Sequence, residues 1–143
     1  LEEKSLIIFM LIIIVCISTD IGGYIFGNIF KGPKLTQISP KKTYSGMIGG
    51  YLLAIINVNI FFNYSHFFYN DLIKFTHEVL LIVLLISSTS QMGDIVISYF
   101  KRLSKIKDTG KIIPGHGGLL DRIDGMIFAL PFSYLLFILN FLK

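Results

Sequence analysis

Charged residues are scarce in this chain of 143 residues, and tryptophan is absent. Asp, Glu, Lys and Arg make up 15% of the residues, against about a quarter in soluble globular domains. The single cysteine, Cys16, excludes a secreted scaffold held by disulfides. The abundance of Ile, Leu and Phe excludes a disordered chain. With 53% hydrophobic residues and a mean hydropathy of +0.71, the composition predicts an integral membrane protein.

Four stretches are apolar and long enough to cross a bilayer, which takes about 20 residues. They run from Ser5 to Phe30, Tyr44 to Asn70, Val79 to Phe100 and Gly125 to Leu142. The sequence therefore predicts an all-α, polytopic integral membrane protein with about four transmembrane helices. Residues 1–143 are expected to form a single membrane-embedded domain, with the fourth helix kinked at Pro131.

Lysine and arginine are concentrated around the loops that follow the first and third spans. Ten of them lie there: Lys31, Lys34, Lys41, Lys42, Lys101, Arg102, Lys105, Lys107, Lys111 and Arg122. Only Lys4, Lys74 and Lys143 fall on the other side. Because basic residues favour the cytoplasmic side, both basic loops are predicted to face the cytoplasm from the cell (inner) membrane. The net charge of +4 follows from this topology, and nucleic acid is not expected as a partner.

Asp94 is a carboxylate inside the third span, where a charge costs roughly 3 kcal/mol and is usually functional. Helical spacing predicts that Asp94, Ser98 and Lys101 share one face, at i, i+4 and i+7. The simpler alternative is an Asp94–Lys101 pair that neutralises itself near the interface.

Asp121 and Asp124 lie three residues apart at the entrance to the fourth span. On a helix they would share a face and repel each other unless a cation lay between them. Carboxylate oxygens suit magnesium, which commonly bridges protein acids and substrate phosphates. The alternative is that the acids cap the helix, with Arg122 as a competing salt-bridge partner.

A glycine-rich segment, Pro114-Gly115-His116-Gly117-Gly118, precedes these acids. Glycines allow backbone N–H groups to approach a phosphate closely, and a following helix start adds a favourable dipole. Taken alone, the segment is equally typical of a turn.

The first basic loop ends in Lys41, Lys42 and Thr43, just before the second span. Lysines and a hydroxyl beside a helix start can hold a polyphosphate, although topology alone also predicts lysines here. Asp20 is interpreted equally well as a ligand of the site or as the polar end of the first span.

Two glycine pairs, Gly23/Gly27 and Gly46/Gly50, have the GxxxG spacing of closely packed membrane helices. We interpret them as packing positions rather than as chemistry, and a homodimer through such packing is a further prediction.

Together these segments resemble the signature of the phosphatidate cytidylyltransferases, the CDP-diacylglycerol synthases. The segments are Ser39-Pro40-Lys41-Lys42-Thr43, Gly93-Asp94, Ser98-Tyr99-Phe100-Lys101-Arg102, Lys107-Asp108, Pro114-Gly115-His116-Gly117-Gly118 and Asp121-Arg122-Ile123-Asp124. The resemblance covers nearly the whole chain and corresponds to the C-terminal catalytic part of a longer family chain.

The resemblance implies that CTP and phosphatidate, drawn from the membrane lipid, give CDP-diacylglycerol and diphosphate in phospholipid biosynthesis. It implies magnesium as the cofactor, with room for a second cation, and attack of the lipid phosphate on the α-phosphorus of CTP. The implied metal ligands are Asp94, Asp121 and Asp124, which act in catalysis with Lys101 and Arg122. The implied substrate-binding residues are Ser98, Arg102, Lys41, Lys42, Thr43, His116, Gly117 and Gly118.

Three other functions remain compatible with the sequence. An ion-coupled transporter or channel component would use Asp20 and Asp94 in an ion path. A CDP-alcohol phosphotransferase would also cluster acids in the membrane, at a different spacing. A purely structural subunit would need neither acid.

Overall fold

The computed structural model describes residues 2–36, 39, 42–69, 76–106 and 120–139, with the side chains of all but residues 2–5, 65–69 and 120–122. Four helices make up most of this part of the chain: α1 (Glu2–Phe30), α2 (Tyr44–Tyr69), α3 (His77–Leu103) and α4 (Leu120–Ile138). Each observed helix overlaps one predicted span. The predicted all-α architecture is therefore confirmed.

Three of the helices, α1, α2 and α3, are long and apolar enough to cross a membrane. In α4 the apolar part is shorter, from Ile123 to Ile138. Because hydrocarbon offers no partner to backbone polar groups, such apolar runs satisfy their N–H and C=O groups inside a helix. The chain is a multi-pass membrane protein.

Two helix ends differ from the prediction in a way that matters for the site. α3 continues to Leu103, so Lys101 and Arg102 lie in its last turn. It ends in a Schellman arrangement, in which the Ile106 N–H donates to the Lys101 carbonyl at 3.0 Å and Lys105 has a φ of 56°. α4 begins five residues earlier than predicted, which places Asp124 in its second turn, and it continues as a helix across Pro131.

α1 and α2 pack so closely that glycine is required where they touch. A methyl group added at Gly46 would lie 2.6 Å from the Gly23 carbonyl oxygen, and one at Gly50 would lie 2.9 Å from the Thr19 oxygen. The GxxxG pairs thus pack helices together, as predicted, but within one chain. They lend no support to a homodimer, which stays a prediction.

Small and branched side chains fill the centre of the bundle. The fully buried ones include Val15, Cys16, Ala54, Val58, Val83 and Ile86. Polar pairs join the helices at the same depth. The hydroxyls of Thr19 and Ser87 lie 2.8 Å apart, and the Asn57 amide donates to the Ser18 hydroxyl at 2.8 Å. These contacts fix the relative positions of α1, α2 and α3.

The loop between α1 and α2 folds back on itself. The Leu35 N–H donates to the Lys42 carbonyl at 2.7 Å, and the Tyr44 N–H donates to the Pro33 carbonyl at 3.0 Å. Lys34 and Thr43 form an antiparallel bridge between the two arms. This short hairpin brings Lys42 back toward the helices.

Candidate active site

An open cavity of about 440 Å³ lies in the half of the bundle where α1 and α3 end and α2 and α4 begin. All four helices and the α1–α2 loop contribute to it. Its described lining residues are Thr19, Asp20, Gly23, Tyr24, Leu35, Lys42, Thr43, Gly46, Met47, Gln91, Asp94, Ser98, Lys101 and Asp124. The cavity is therefore built from segments that are far apart in sequence.

One face of α3 supplies Gln91, Asp94, Ser98 and Lys101, at spacings of three and four residues. Such spacing keeps side chains on one side of a helix. The prediction that Asp94, Ser98 and Lys101 share a face is confirmed. Asp94 lies nine residues before the end of α3, which at about 1.5 Å per residue places it roughly 13 Å inside the helix.

Asp94 forms its ion pair across the molecule rather than along its own helix. Its Oδ2 atom lies 3.1 Å from the Nζ atom of Lys42, and each side chain keeps about a quarter of its surface exposed. The structure thus gives Asp94 an ion pair with Lys42, because the loop hairpin brings this lysine to the carboxylate.

Lys101 instead forms a tighter and more buried pair with Asp124 of α4. Its Nζ atom donates to Asp124 Oδ2 at 2.6 Å, and the two side chains are 13% and 9% exposed. Side chains on a helix point back toward its N-terminus, so a lysine in the last turn of α3 reaches into the bundle. Asp124 therefore bridges helices, and helix capping does not explain it.

The other oxygen of Asp124, Oδ1, is buried and accepts no hydrogen bond from the described residues. A buried carboxylate oxygen without a partner is costly, and a cation ligand would satisfy it. Carboxylate oxygens are the donors that magnesium prefers, and Asp94 and Asp124 bring such oxygens to the cavity. The described side chains do not include a cluster of three or more His, Cys, Asp or Glu that could hold a metal.

Thr43 lines the cavity and also precedes the first residue of α2. Its hydroxyl accepts from the Gly46 N–H at 3.1 Å and lies 3.0 Å from the Ser45 hydroxyl, which is the pattern of an N-terminal cap. The start of α2 therefore faces the cavity, where a helix N-terminus favours anions.

Several predicted site residues are not brought into the described cavity. Arg102 is exposed and does not line it, because one step along a helix turns a side chain by about 100°. Asp121 and Arg122 lie in the first turn of α4, but their side chains are outside the described part. The predictions for Lys41, His116, Gly117 and Gly118 also fall outside the described residues.

The cavity also contains residues whose role the sequence left open or did not indicate. Asp20 lines it together with Asp94, so the structure favours a place in the site over the polar end of a span. Gln91 and Tyr24 were not predicted. Helical spacing could have indicated both residues. Gln91 precedes Asp94 by three residues and Tyr24 follows Asp20 by four, and such spacing places side chains on the same face of a helix.

The described lining carries three carboxylates, Asp20, Asp94 and Asp124, and two ammonium groups, Lys42 and Lys101. Four of these groups form the ion pairs Lys42–Asp94 and Lys101–Asp124, and Asp20 lines the same cavity. A partly buried cavity with both positive and negative groups suits a ligand that also carries both charges, such as a polyphosphate with a divalent cation.

Comparison with known sequences agrees with this chemistry. A sequence model of the Cytidylyltransferase family matches residues 1–140. The phosphatidate cytidylyltransferase of Rickettsia prowazekii (strain Madrid E) is 39% identical over 137 residues, which cover 92% of this chain and 58% of that protein. The phosphatidate cytidylyltransferase of Bacillus subtilis (strain 168) is also 39% identical over 137 residues, covering 95% of this chain and 49% of the relative.

A further phosphatidate cytidylyltransferase, from Staphylococcus haemolyticus (strain JCSC1435), is 41% identical over 121 residues, covering 84% of this chain and 45% of the relative. The chain thus spans about half the length of the curated relatives it matches. These matches confirm the resemblance carried by the motifs and give no support to the transporter alternative. Since the family match includes all four helices and every described residue of the cavity, the chain belongs to the cytidylyltransferase family.

Proposed function

We propose that this chain carries the catalytic region of a phosphatidate cytidylyltransferase, which joins CTP and phosphatidate to give CDP-diacylglycerol and diphosphate. The proposal rests on the observation that Asp94 of α3 and Asp124 of α4 share one cavity with Lys42 and Lys101. The names of the related proteins from Rickettsia, Bacillus and Staphylococcus support the same activity.

Both substrates are anionic, so the reaction needs charge neutralisation and alignment more than it needs proton transfer. An oxygen of the lipid phosphate attacks the α-phosphorus of CTP. A new phosphorus–oxygen bond forms while the bond from the α-phosphorus to the bridging oxygen breaks, and diphosphate leaves with that electron pair. The attacking oxygen is already ionised near neutral pH, so no general base is required.

The lysines are suited to hold the phosphates during this step. Lys101 comes from the last turn of α3 and Lys42 from the loop, so they approach the cavity from different elements. Ser98, one turn from Asp94 on the same face, can donate its hydroxyl proton to a phosphate oxygen. Arg102, Arg122, Lys41, Thr43, His116, Gly117 and Gly118 complete the proposed set of substrate contacts.

Asp94 and Asp124 are proposed to hold magnesium, with Asp121 as the third acid, and a second cation is part of the proposal. The Oδ1 atom of Asp124 supports this assignment, since it is buried and accepts no hydrogen bond from the part of the chain that the structure describes. When bound, magnesium would supply positive charge to the phosphates as negative charge builds up on the departing diphosphate.

The position of the cavity suits the meeting of a soluble and a membrane substrate. Asp94 lies about 13 Å from the end of α3, within reach of a lipid headgroup that enters between helices. The basic loops on the same side of the bundle support an active site that faces the cytoplasm, in the inner membrane, from which CTP would arrive.

The activity is tested with the chain in detergent micelles that contain phosphatidate and magnesium. Conversion of labelled CTP into a lipid-soluble product is compared among the unmodified chain, Asp94→Asn and Asp124→Asn. We expect both variants to lose at least about 100-fold in rate, since each removes a charge used in the transition state. Glu78→Gln is the matched control, because Glu78 is an exposed acid at the opposite end of α3.

Because the chain spans about half the length of its relatives, the assay is repeated with a chimera. In it, this chain replaces the matching segment of the Bacillus subtilis relative, which is 39% identical. Product formed by the chimera and lost with either Asn variant is the expected result. A well-folded chimera that forms no CDP-diacylglycerol, or one unaffected by both variants, would overturn the proposed function.

A further inference from the structure

Lys42 reaches Asp94 from a loop whose backbone is fixed on both sides. The Leu35 N–H donates to the Lys42 carbonyl at 2.7 Å, and the Lys42 N–H donates to the Ser39 carbonyl at 3.0 Å. Only the four-carbon side chain of Lys42 is thus free to change the position of the ammonium group. A lysine can move its charge by several ångströms through rotamer changes alone.

The two ion pairs of the cavity differ in how they are held. Lys101 makes a short hydrogen bond to Asp124 at 2.6 Å. The Nζ atom of Lys42 lies 3.1 Å from Asp94 Oδ2, and about a quarter of each of these two side chains is exposed. A longer and more exposed ion pair contributes less stability than a short, buried one. Another cation can therefore take its place at Asp94.

We propose that Lys42 is an internal counter-ion that occupies the carboxylate of Asp94 until a divalent cation displaces it, and then binds a phosphate of the nucleotide. This inference rests on the proposed function, which supplies the cation and the nucleotide. Without them, Lys42 offsets the repulsion between Asp94 and Asp20, two carboxylates that line the same cavity.

Displacement follows from the charges involved. A divalent cation at Asp94 repels the adjacent ammonium, and the triphosphate that accompanies the cation offers that ammonium a new partner. Cation and nucleotide binding are then coupled, because each stabilises the arrangement that the other needs.

The first test measures binding of Mn²⁺ to the full chain in phosphatidylcholine nanodiscs, without nucleotide. We expect Lys42→Met to tighten Mn²⁺ binding by about fivefold. In this variant no ammonium competes with Mn²⁺ for Asp94, and fivefold corresponds to the upper end of the stability of a partly exposed ion pair. Lys42→Arg keeps the charge and should bind Mn²⁺ as the unmodified chain does. Lys34→Met is the matched control, since Lys34 is exposed on the same loop and does not line the cavity.

Two results of this measurement would overturn the proposal. Unchanged Mn²⁺ affinity in Lys42→Met would mean that Lys42 does not compete for Asp94. An equal gain in Lys34→Met would mean that loss of charge anywhere on the loop suffices, without occupation of the carboxylate.

The second test follows the amine of Lys42 directly by reductive methylation and mass spectrometry in the same nanodiscs. We expect Lys42 to be protected in the absence of ligands, to become reactive with Mn²⁺ alone, and to be protected again with Mn²⁺ and CTP. If methylation of Lys42 is the same with and without Mn²⁺, the cation does not displace this lysine from Asp94. If methylation stays high when CTP is added to Mn²⁺, Lys42 does not move to a phosphate. Neither readout requires turnover, so failure of this inference is distinguishable from failure of the proposed function.

Discussion

Thr43 illustrates how one side chain can serve both the fold and the site. Its hydroxyl accepts the Gly46 N–H at the start of α2, while the residue also lines the cavity between Lys42 and Gly46. This hydroxyl is engaged as an acceptor, and the Ser45 hydroxyl lies 3.0 Å away as a second partner. The structural role is therefore the stronger of the two.

Replacing Thr43 separates these roles. Thr43→Val keeps the shape but removes the cap, and we expect it to lower the free energy of unfolding by about 1 kcal/mol. Thr43→Ser keeps the hydroxyl and should be close to neutral. Thermal unfolding in detergent measures the stability, and the KM for CTP measures any contact with substrate. A Val variant as stable as the unmodified chain would contradict the capping role.

The sequence was sufficient to predict which side chains of the site lie together on one face of a single helix. The spacing of Asp94, Ser98 and Lys101 sufficed to place them on one face, because helical periodicity is local. The partners of these residues were not predictable. Lys42 lies 52 positions from Asp94 along the chain, and only the loop hairpin decides that these two meet.

Among the elements, α1 and α2 show how glycine controls the distance between membrane helices. A methyl group at Gly22 would lie 2.9 Å from the Gly50 Cα atom, whereas one at the neighbouring Gly23 would find its nearest atom at 3.7 Å. Position 22 therefore cannot accept a side chain unless the backbone of α2 moves, whereas position 23 can accept one. The sequence pattern indicates close packing but does not show which glycine is essential.

These adjacent glycines form a matched pair for experiment. We expect Gly22→Ala to destabilise the protein by about 1–3 kcal/mol, because α1 and α2 must separate. Gly23→Ala should be neutral or stabilising by up to about 1 kcal/mol, since alanine favours a helix over glycine. Thermal unfolding of both variants in one detergent gives the comparison. If both variants were destabilised equally, close contact with α2 would not be the reason why glycine is needed at position 22.

At the scale of the whole molecule, the helix order places both basic loops on one side. The cavity lies between the end of α1, the start of α2, the end of α3 and the start of α4. The distribution of lysine and arginine predicts that this side is cytoplasmic. The opposite side carries Thr76, the residue that caps α3.

Cysteine labelling tests this orientation, because Cys16 is the only cysteine and is buried. Lys34→Cys and Ser104→Cys place thiols at exposed positions on the cavity side, and Thr76→Cys places one on the other side. We expect a membrane-impermeant maleimide to label Thr76→Cys in intact cells, and the other two only in inside-out vesicles. The reverse pattern would contradict a cytoplasmic active site.

The sequence by itself determined the membrane class, the helices and the face of α3 that carries Asp94, because hydropathy and helical periodicity depend on neighbouring residues alone. Its motifs also indicated the family. Only the tertiary structure decided which lysine meets which acid, that Asp20 belongs to the cavity, and that the glycine pairs join helices of one chain. These outcomes depend on how helices and a loop far apart in sequence pack together, and no local pattern encodes that packing.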